Sequence, residues 1–531
     1  MVVWLFVCVL LLPLGVILSA WITPEWAVWR HLVDTLLGEL VTNTLILLLG
    51  VSFWVLLIGV GLAWLTAMCT FPGQKFFDWA LILPLAMPAY VLAFTLLGFL
   101  DYGGPLQQWL AGRFGANGYW FPEVRSPGMV VFFFSLSLYP YVYLLARTAF
   151  LGQGRRMLEA SRMLGRSPWG AFFHAALPMA RPAIAAGCAL AVMEALADFG
   201  AVSVFGFNTF TTAIYKAWFG LFNLSAATQL SSLLLLFVVV ALTVERRMRG
   251  RARYFSNDGH AASRERIVLR GVAAGVAFGV AGSIFTLAFA LPMLQLLVWA
   301  WNRVGLDLDG RFWELLLHTV TLGVGAALLA TGAALLLGLV RKRYPEDRSI
   351  RLAVRLATLG YALPGSVLAV GVMLSTVWLG KGIGAWFAAG NASGSLNGLS
   401  GGVSALLFAY LVRFLAVSMG PVESGLERIR PSIAEAAHGL GATTRAVIWR
   451  VYLPMLRPGL LTAILLVLVE VMKEMPATLL LRPFGWDTLA VRIHEMTSEG
   501  EWERAALPAV MLVLAGLFPV ILLVRKSAIR R

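Results

Sequence analysis

The chain has 531 residues, 60% hydrophobic and only 13% charged, whereas soluble domains are roughly 45–50% apolar. That balance excludes a water-soluble globule, which could not cover its core with the polar side chains available. A formal net charge of +15 would suit a nucleic-acid binder, but the placement of the positive residues excludes that reading, because they sort to one side of a membrane.

In chain order, apolar blocks of about 20 residues recur, the length a helix needs to cross a hydrocarbon core of roughly 30 Å. They predict twelve membrane helices, near 2–20, 45–67, 81–100, 128–146, 183–205, 228–244, 271–300, 316–340, 356–379, 402–420, 459–480 and 505–524. The first block has the look of a signal-peptide core, with Leu18-Ser19-Ala20 as a small-residue site. No Lys or Arg precedes it, so a retained helix is expected. Threading the chain from a cytoplasmic N-terminus places 30 of the 42 Lys and Arg on the cytoplasmic side and 10 opposite, and both termini fall in the cytoplasm. Cys8, Cys69 and Cys188 lie in or beside apolar blocks without ligand spacing and are expected to be packing residues. The six histidines are scattered, with no pair at metal-ligand spacing.

One offset of 276 residues relates the two parts of the chain. Pro88, Val91 and Leu92 match Pro364, Val367 and Leu368; Leu177, Pro178, Arg181 and Pro182 match Leu453, Pro454, Arg457 and Pro458; Glu194 matches Glu470 and acidic Asp198 matches acidic Glu474. The expected organisation is a first half at 1–245, a basic polar linker at 246–270 and a second half at 271–531. Six helices per half, an even number, give both halves the same orientation, related by an axis along the membrane normal.

The strongest paired segments are Glu159-Ala160-Ser161-Arg162-Met163-Leu164-Gly165 running on to Leu177-Pro178, and Glu435-Ala436-Ala437-His438-Gly439-Leu440-Gly441 running on to Leu453-Pro454. Each reads as a short helix stopped by a glycine in a left-handed conformation. A second short helix follows, bearing Trp169, Phe172 and Phe173 or Val447, Ile448 and Trp449, and Pro182 and Pro458 are placed in the first turn of the next membrane helix. These segments resemble the "EAA" loop of ABC importer permeases. The first copy departs from that pattern at Ser161 and Ala175.

The resemblance implies an all-α polytopic membrane protein: two tandem, parallel six-helix domains of the MetI-like permease type in a bacterial inner membrane, in contact with lipid. It also implies that Glu159, Ala160, Gly165, Leu177, Pro178, Glu435, Ala436, Gly441, Leu453 and Pro454 dock two copies of a cytoplasmic ATPase subunit, with the apolar elbow residues as anchors. The chain contains no Gly-x-x-x-x-Gly-Lys-Ser/Thr segment. It is therefore expected to be a transport subunit without bound cofactor, the ATP and Mg being used by the partner.

Ionisable residues inside a membrane default to functional hypotheses. Glu194 and Asp198, and Glu470, Lys473 and Glu474, lie within the fifth and eleventh blocks. Spacing of four puts each acidic pair on one helical face, so an acidic stretch of translocation pathway is set against a structural role in which Lys473 neutralises Glu470 or Glu474. The stretches 194–219 and 471–490 resemble the ferric iron branch of these permeases. That implies a periplasmic ferric-binding protein as partner, docking on segments 101–127, 206–226 and 482–504; relatives of the branch move thiamine, polyamines, sulfate or phosphonates. Tyr139, Tyr141 and Tyr143 read chiefly as interfacial anchors and otherwise as oxygen donors to a hard cation. A secondary transporter remains a remote alternative, and it would not need a duplicated elbow.

Overall fold

The computed structural model describes residues 2–22, 26–115, 119–163, 167–249, 266–388 and 402–529. Among them, ten helices are long and apolar enough to cross a membrane, and an eleventh span results if the pair Arg348–Ala362 and Gly365–Leu379, bent by 115°, counts as one. The expected block 2–20 forms a shorter apolar helix, Val2–Ser19. All twelve blocks therefore have a helical counterpart, but the helices break inside the blocks 81–100, 183–205, 356–379 and 459–480.

The breaks have a local cause. Proline disfavours helical backbone in the residue before it and cannot donate to a preceding carbonyl. Met87, before Pro88, takes ψ 120°, and Leu363, before Pro364, takes ψ 128°. Each copy thus has a helix (Gln74–Ala80 or Arg348–Ala357), a 3₁₀ turn (Leu83–Ala86 or Thr358–Ala362) and a fresh helix beginning at Ala89 or Gly365. The third span accordingly runs over Ala89–Phe114 rather than 81–100.

Contacts divide the chain into two compact units. One comprises residues 32–212, 234–305 and 496–531. Its long helix Gly38–Met68 lies along Pro127–Met163 and Leu177–Ala197. Val142 is the contact point: a Cβ added at Gly59 or at Gly187 would come within 2.7 Å of it, so both positions need glycine for backbones this close.

The other unit comprises residues 1–31, 213–233 and 306–495. Gly310–Arg343, Val403–Glu427 and Leu453–Lys473 pack together as its core. Val2–Ser19 belongs to this unit and rests on Gly365–Ala388, where a Cβ at Gly371 would come within 2.7 Å of the Pro13 carbonyl. Trp4 Nε1 donates to Ser349 Oγ at 2.7 Å. The contact units thus cut across the 1–245 and 271–531 division by repeat.

Candidate functional sites, the elbows and the acidic helix ends

The second elbow is built from a helix, Pro431–Gly439, that ends in a hydrogen-bonded stop. Gly441 has φ 84°, its N–H donates to His438 O at 2.9 Å, and the N–H of Ala442 donates to Ala437 O at 3.0 Å. These two bonds make a Schellman motif, which satisfies the orphan carbonyls and requires a residue tolerant of left-handed backbone. Thr443 then caps the next helix by accepting from Ala446 N at 3.3 Å.

From Thr444 the chain runs without a break to Lys473, a 30-residue span. One turn of it, Ile448–Tyr452, is a π-turn, with Leu453 N bonded to Ile448 O. The first copy has its π-turn at Phe172–Ala176, the same positions under the 276-residue offset. The wider turn accommodates Pro178 and Pro454, which follow immediately and cannot donate. The expectation that Pro182 and Pro458 sit in a first turn is corrected here: both lie inside helices, within the continuous stretches Phe172–Ala197 and Thr444–Lys473.

Exposure sorts the elbow side chains. Phe173 and Trp449 occupy matching positions in the repeat and are 55% and 62% exposed; Leu440 is 90% exposed. Glu435, Ala436 and Pro454 are also exposed, Pro178 likewise, while Leu177 and Leu453 are half-buried. Two residues expected as anchors turn inward instead. Val447 is buried, and the Phe172 ring packs edge-on against Trp64 with centroids 4.7 Å apart. Glu159 and Ala160 lie on the helix Pro127–Met163, but their side chains, and Gly165 altogether, lie outside the described residues.

The acidic residues mark the far ends of the same helices. Glu194, Glu470 and Lys473 are half-buried in the last turns. Asp198 and Glu474 end the helices with extended backbone, ψ 132° and 111°. The expected sharing of one helical face therefore fails, because the second carboxylate of each pair has left the helix. Each caps the next one instead: Asp198 Oδ1 accepts from Ala201 N at 2.7 Å and Glu474 Oε1 from Ala477 N at 3.2 Å.

Beyond this cap the copies diverge. Glu474 is buried and its Oε2 lies 3.1 Å from Arg413 Nε. In the sequence Arg413 stands as a charge inside the apolar block 402–420, and nothing there indicates its partner. A second buried pair, Arg147 Nη2 to Asp78 Oδ1 at 3.0 Å, went unread because Asp78 lies before its apolar block. Tyr143 and Tyr139 are fully buried and donate to Asp78 O and Leu81 O at 3.2 and 3.0 Å. They brace the segment before Pro88, which replaces the expectation of lipid-interface anchors.

In segment 482–504, Arg482 pairs with Asp487 and, at 2.8 Å, with Glu495. Beside them His494 is buried, with Tyr215 edge-on at 6.5 Å. Burial pushes its imidazole down to about 4, and the Arg482 charge adds to that while Glu495 opposes it. Phe484, near the tip of the preceding loop, is fully exposed.

A multi-span helical chain made of two copies of one unit has the architecture of a duplicated membrane permease. The chain belongs to the family described as binding-protein-dependent transport system inner membrane component, which matches residues 56–251 and 330–525, and it is a multi-pass inner-membrane protein. It is 29% identical over 494 residues to the Fe(3+)-transport system permease protein FbpB 2 of Haemophilus influenzae, covering 92% of this chain and 90% of that one. Over shorter stretches it is 31% identical to the molybdenum transport permease ModB of Escherichia coli, covering 35% of this chain and 73% of the relative. It is 30% identical to a 2-aminoethylphosphonate transport permease, PhnV, of Salmonella typhimurium, covering 45% and 89%.

Proposed function

We propose that this chain is the transmembrane permease of an ATP-driven importer that takes ferric iron from a periplasmic binding protein and releases it to the cytoplasm. The observation that carries the substrate is likeness to an iron permease across 92% of the chain, whereas the molybdenum and phosphonate relatives align with only 35% and 45% of it.

Each elbow would receive one cytoplasmic ATPase subunit, and closure of that pair on ATP would drive alternating access. ATP and Mg are the partner's, and the permease does no hydrolysis. The termini and elbows lie in the cytoplasm in this reading, supported by the 30-to-10 distribution of positive residues. Among the expected site residues, the docking role goes to Phe173, Trp449 and the exposed residues around Gly441. Glu194, Glu470 and Lys473 keep the pathway role, and Asp198 and Glu474 act chiefly as caps.

The test is uptake of radiolabelled ferric iron into proteoliposomes holding the permease with its ATPase and loaded binding protein. ATP-dependent accumulation is expected. Uptake driven by an ion gradient without ATPase, or competition by molybdate or phosphonate but not by ferric iron, would overturn the proposal.

A further inference from the structure

Arg413 has no part in elbow docking, yet it stands near the middle of the spanning helix Val403–Glu427, where an ionised side chain is costly unless partnered. Its partners lie on two different elements. Arg413 Nη1 donates to the carbonyl of Leu363 at 2.7 Å, and Nε lies 3.1 Å from Glu474 Oε2; both side chains are about nine-tenths buried.

Both partners sit at helix interruptions. Leu363 immediately precedes Pro364, at the 115° bend, so its carbonyl lies outside either helical ladder and requires another donor. Glu474 terminates the unbroken helix that starts in the second elbow at Thr444. A single guanidinium therefore ties the far end of the elbow helix to the bend.

The fit is tight on all sides. A Cβ at Gly360 would overlap the Val412 carbonyl oxygen, and one at Gly365 would overlap Glu474 Oε1. The first copy has no arginine at the matching position. Ser137 occupies the position of Arg413, Met87 that of Leu363, Ala89 that of Gly365 and Asp198 that of Glu474. There the segment before the bend is held by the Arg147–Asp78 pair and the two buried tyrosines.

We propose that Arg413 is a positioning residue for transport: it is the joint through which displacement of the second elbow moves the bent pair Arg348–Ala362 and Gly365–Leu379. This rests on the importer reading above. Rigid elements carry displacement only where they are pinned. The elbow helix is continuous, and the Arg413 contacts pin its end. Glu474 is accordingly a structural partner of Arg413 rather than a ligand for passing cations, and the bend responds to one elbow of the two.

The experiment measures iron moved per ATP hydrolysed in proteoliposomes containing the full complex and loaded binding protein. For Arg413→Gln, ATP hydrolysis stays within about twofold of the parent while iron per ATP falls about tenfold, the size of ordinary coupling effects. Arg413→Lys recovers part of that ratio, and Ser137→Ala leaves it unchanged. If Arg413→Gln fails to accumulate in the membrane, Gly365→Ala, which crowds Glu474 without removing a charge, gives the same uncoupling. An unchanged ratio in either variant overturns the proposal, and so does a proportional fall of hydrolysis and uptake. A parent complex that hydrolyses ATP but moves a different substrate would sink the iron reading alone, since the ratio can then be measured with that substrate.

Discussion

Replacing Trp449 by Ala should loosen the proposed ATPase from one elbow while leaving the permease folded. Trp449 is 62% exposed and Phe173 55%, and aromatic side chains carry roughly 150–250 Å² of burial, so about 100–150 Å² of each ring is open to a partner. At ~25 cal/mol per Å², full burial of one ring gives at most about 3–4 kcal/mol. Ordering the ring on binding takes part of that back, leaving about 2 kcal/mol, or roughly thirtyfold in Kd. The assay is titration of purified ATPase onto permease in nanodiscs, with thermal unfolding of the permease alone as control. Trp449→Ala should show two classes of site, one unchanged and one about thirtyfold weaker. Adding Phe173→Ala should weaken both, with an unshifted melting temperature. A binding curve within about twofold of the parent for the double variant would refute the assignment of these rings as anchors.

Gly441→Ala forces a side chain into left-handed backbone at φ 84°, which costs about 1–2 kcal/mol; it should weaken docking at that elbow, with Gly441→Asn milder. Asp78→Asn breaks a buried ion pair and should lower stability by about 3–5 kcal/mol, read as a fall in melting temperature. Replacing both Asp78 and Arg147 by apolar residues of similar volume should recover much of it. His494 supplies a pH dependence. Its folded value of about 4 lies below the unfolded ~6.5, so the unfolded state takes up the proton first. Stability should be flat above about pH 6.5 and decline toward pH 4 by up to ~3 kcal/mol. His494→Gln should flatten that decline in a pH series of melting curves, and an undiminished slope would remove His494 as its source.

The repeat was legible in sequence because it is carried by residues with strong backbone preferences. Pro88 and Pro364 set the bends, Gly441 sets the stop of the second elbow helix, and the one 276-residue register predicts where paired elements recur. The π-turns at Phe172–Ala176 and Ile448–Tyr452 obey that register, although neither segment announces the extra residue, since a wide turn has no composition of its own. Hydropathy could not show that the 356–379 block is bent, because a window of apolar residues reads the same on either side of a break. Nor could it place Val2–Ser19 with residues 306–495, since each helix is scored without its neighbours. Arg413 was visible as a charge in an apolar run; its partner was not, because the link to Glu474 depends on how two helices pack. The acidic spacing misled for a plain reason: four residues share a face only while the helix lasts, and it ends at Asp198 and Glu474.

One chain holds two copies that have drifted apart at matched positions, with Arg413 in one and Ser137 in the other. A permease assembled from two identical chains must display every substitution twice, so a buried cation introduced at this position would have to be tolerated in both places at once. Encoding both copies in one reading frame lifts that restriction. Mutational freedom at the helix bends is thereby doubled, and a scan of this chain should find a pair of related positions tolerating different sets of amino acids: small polar residues at 137, and almost nothing but arginine or lysine at 413.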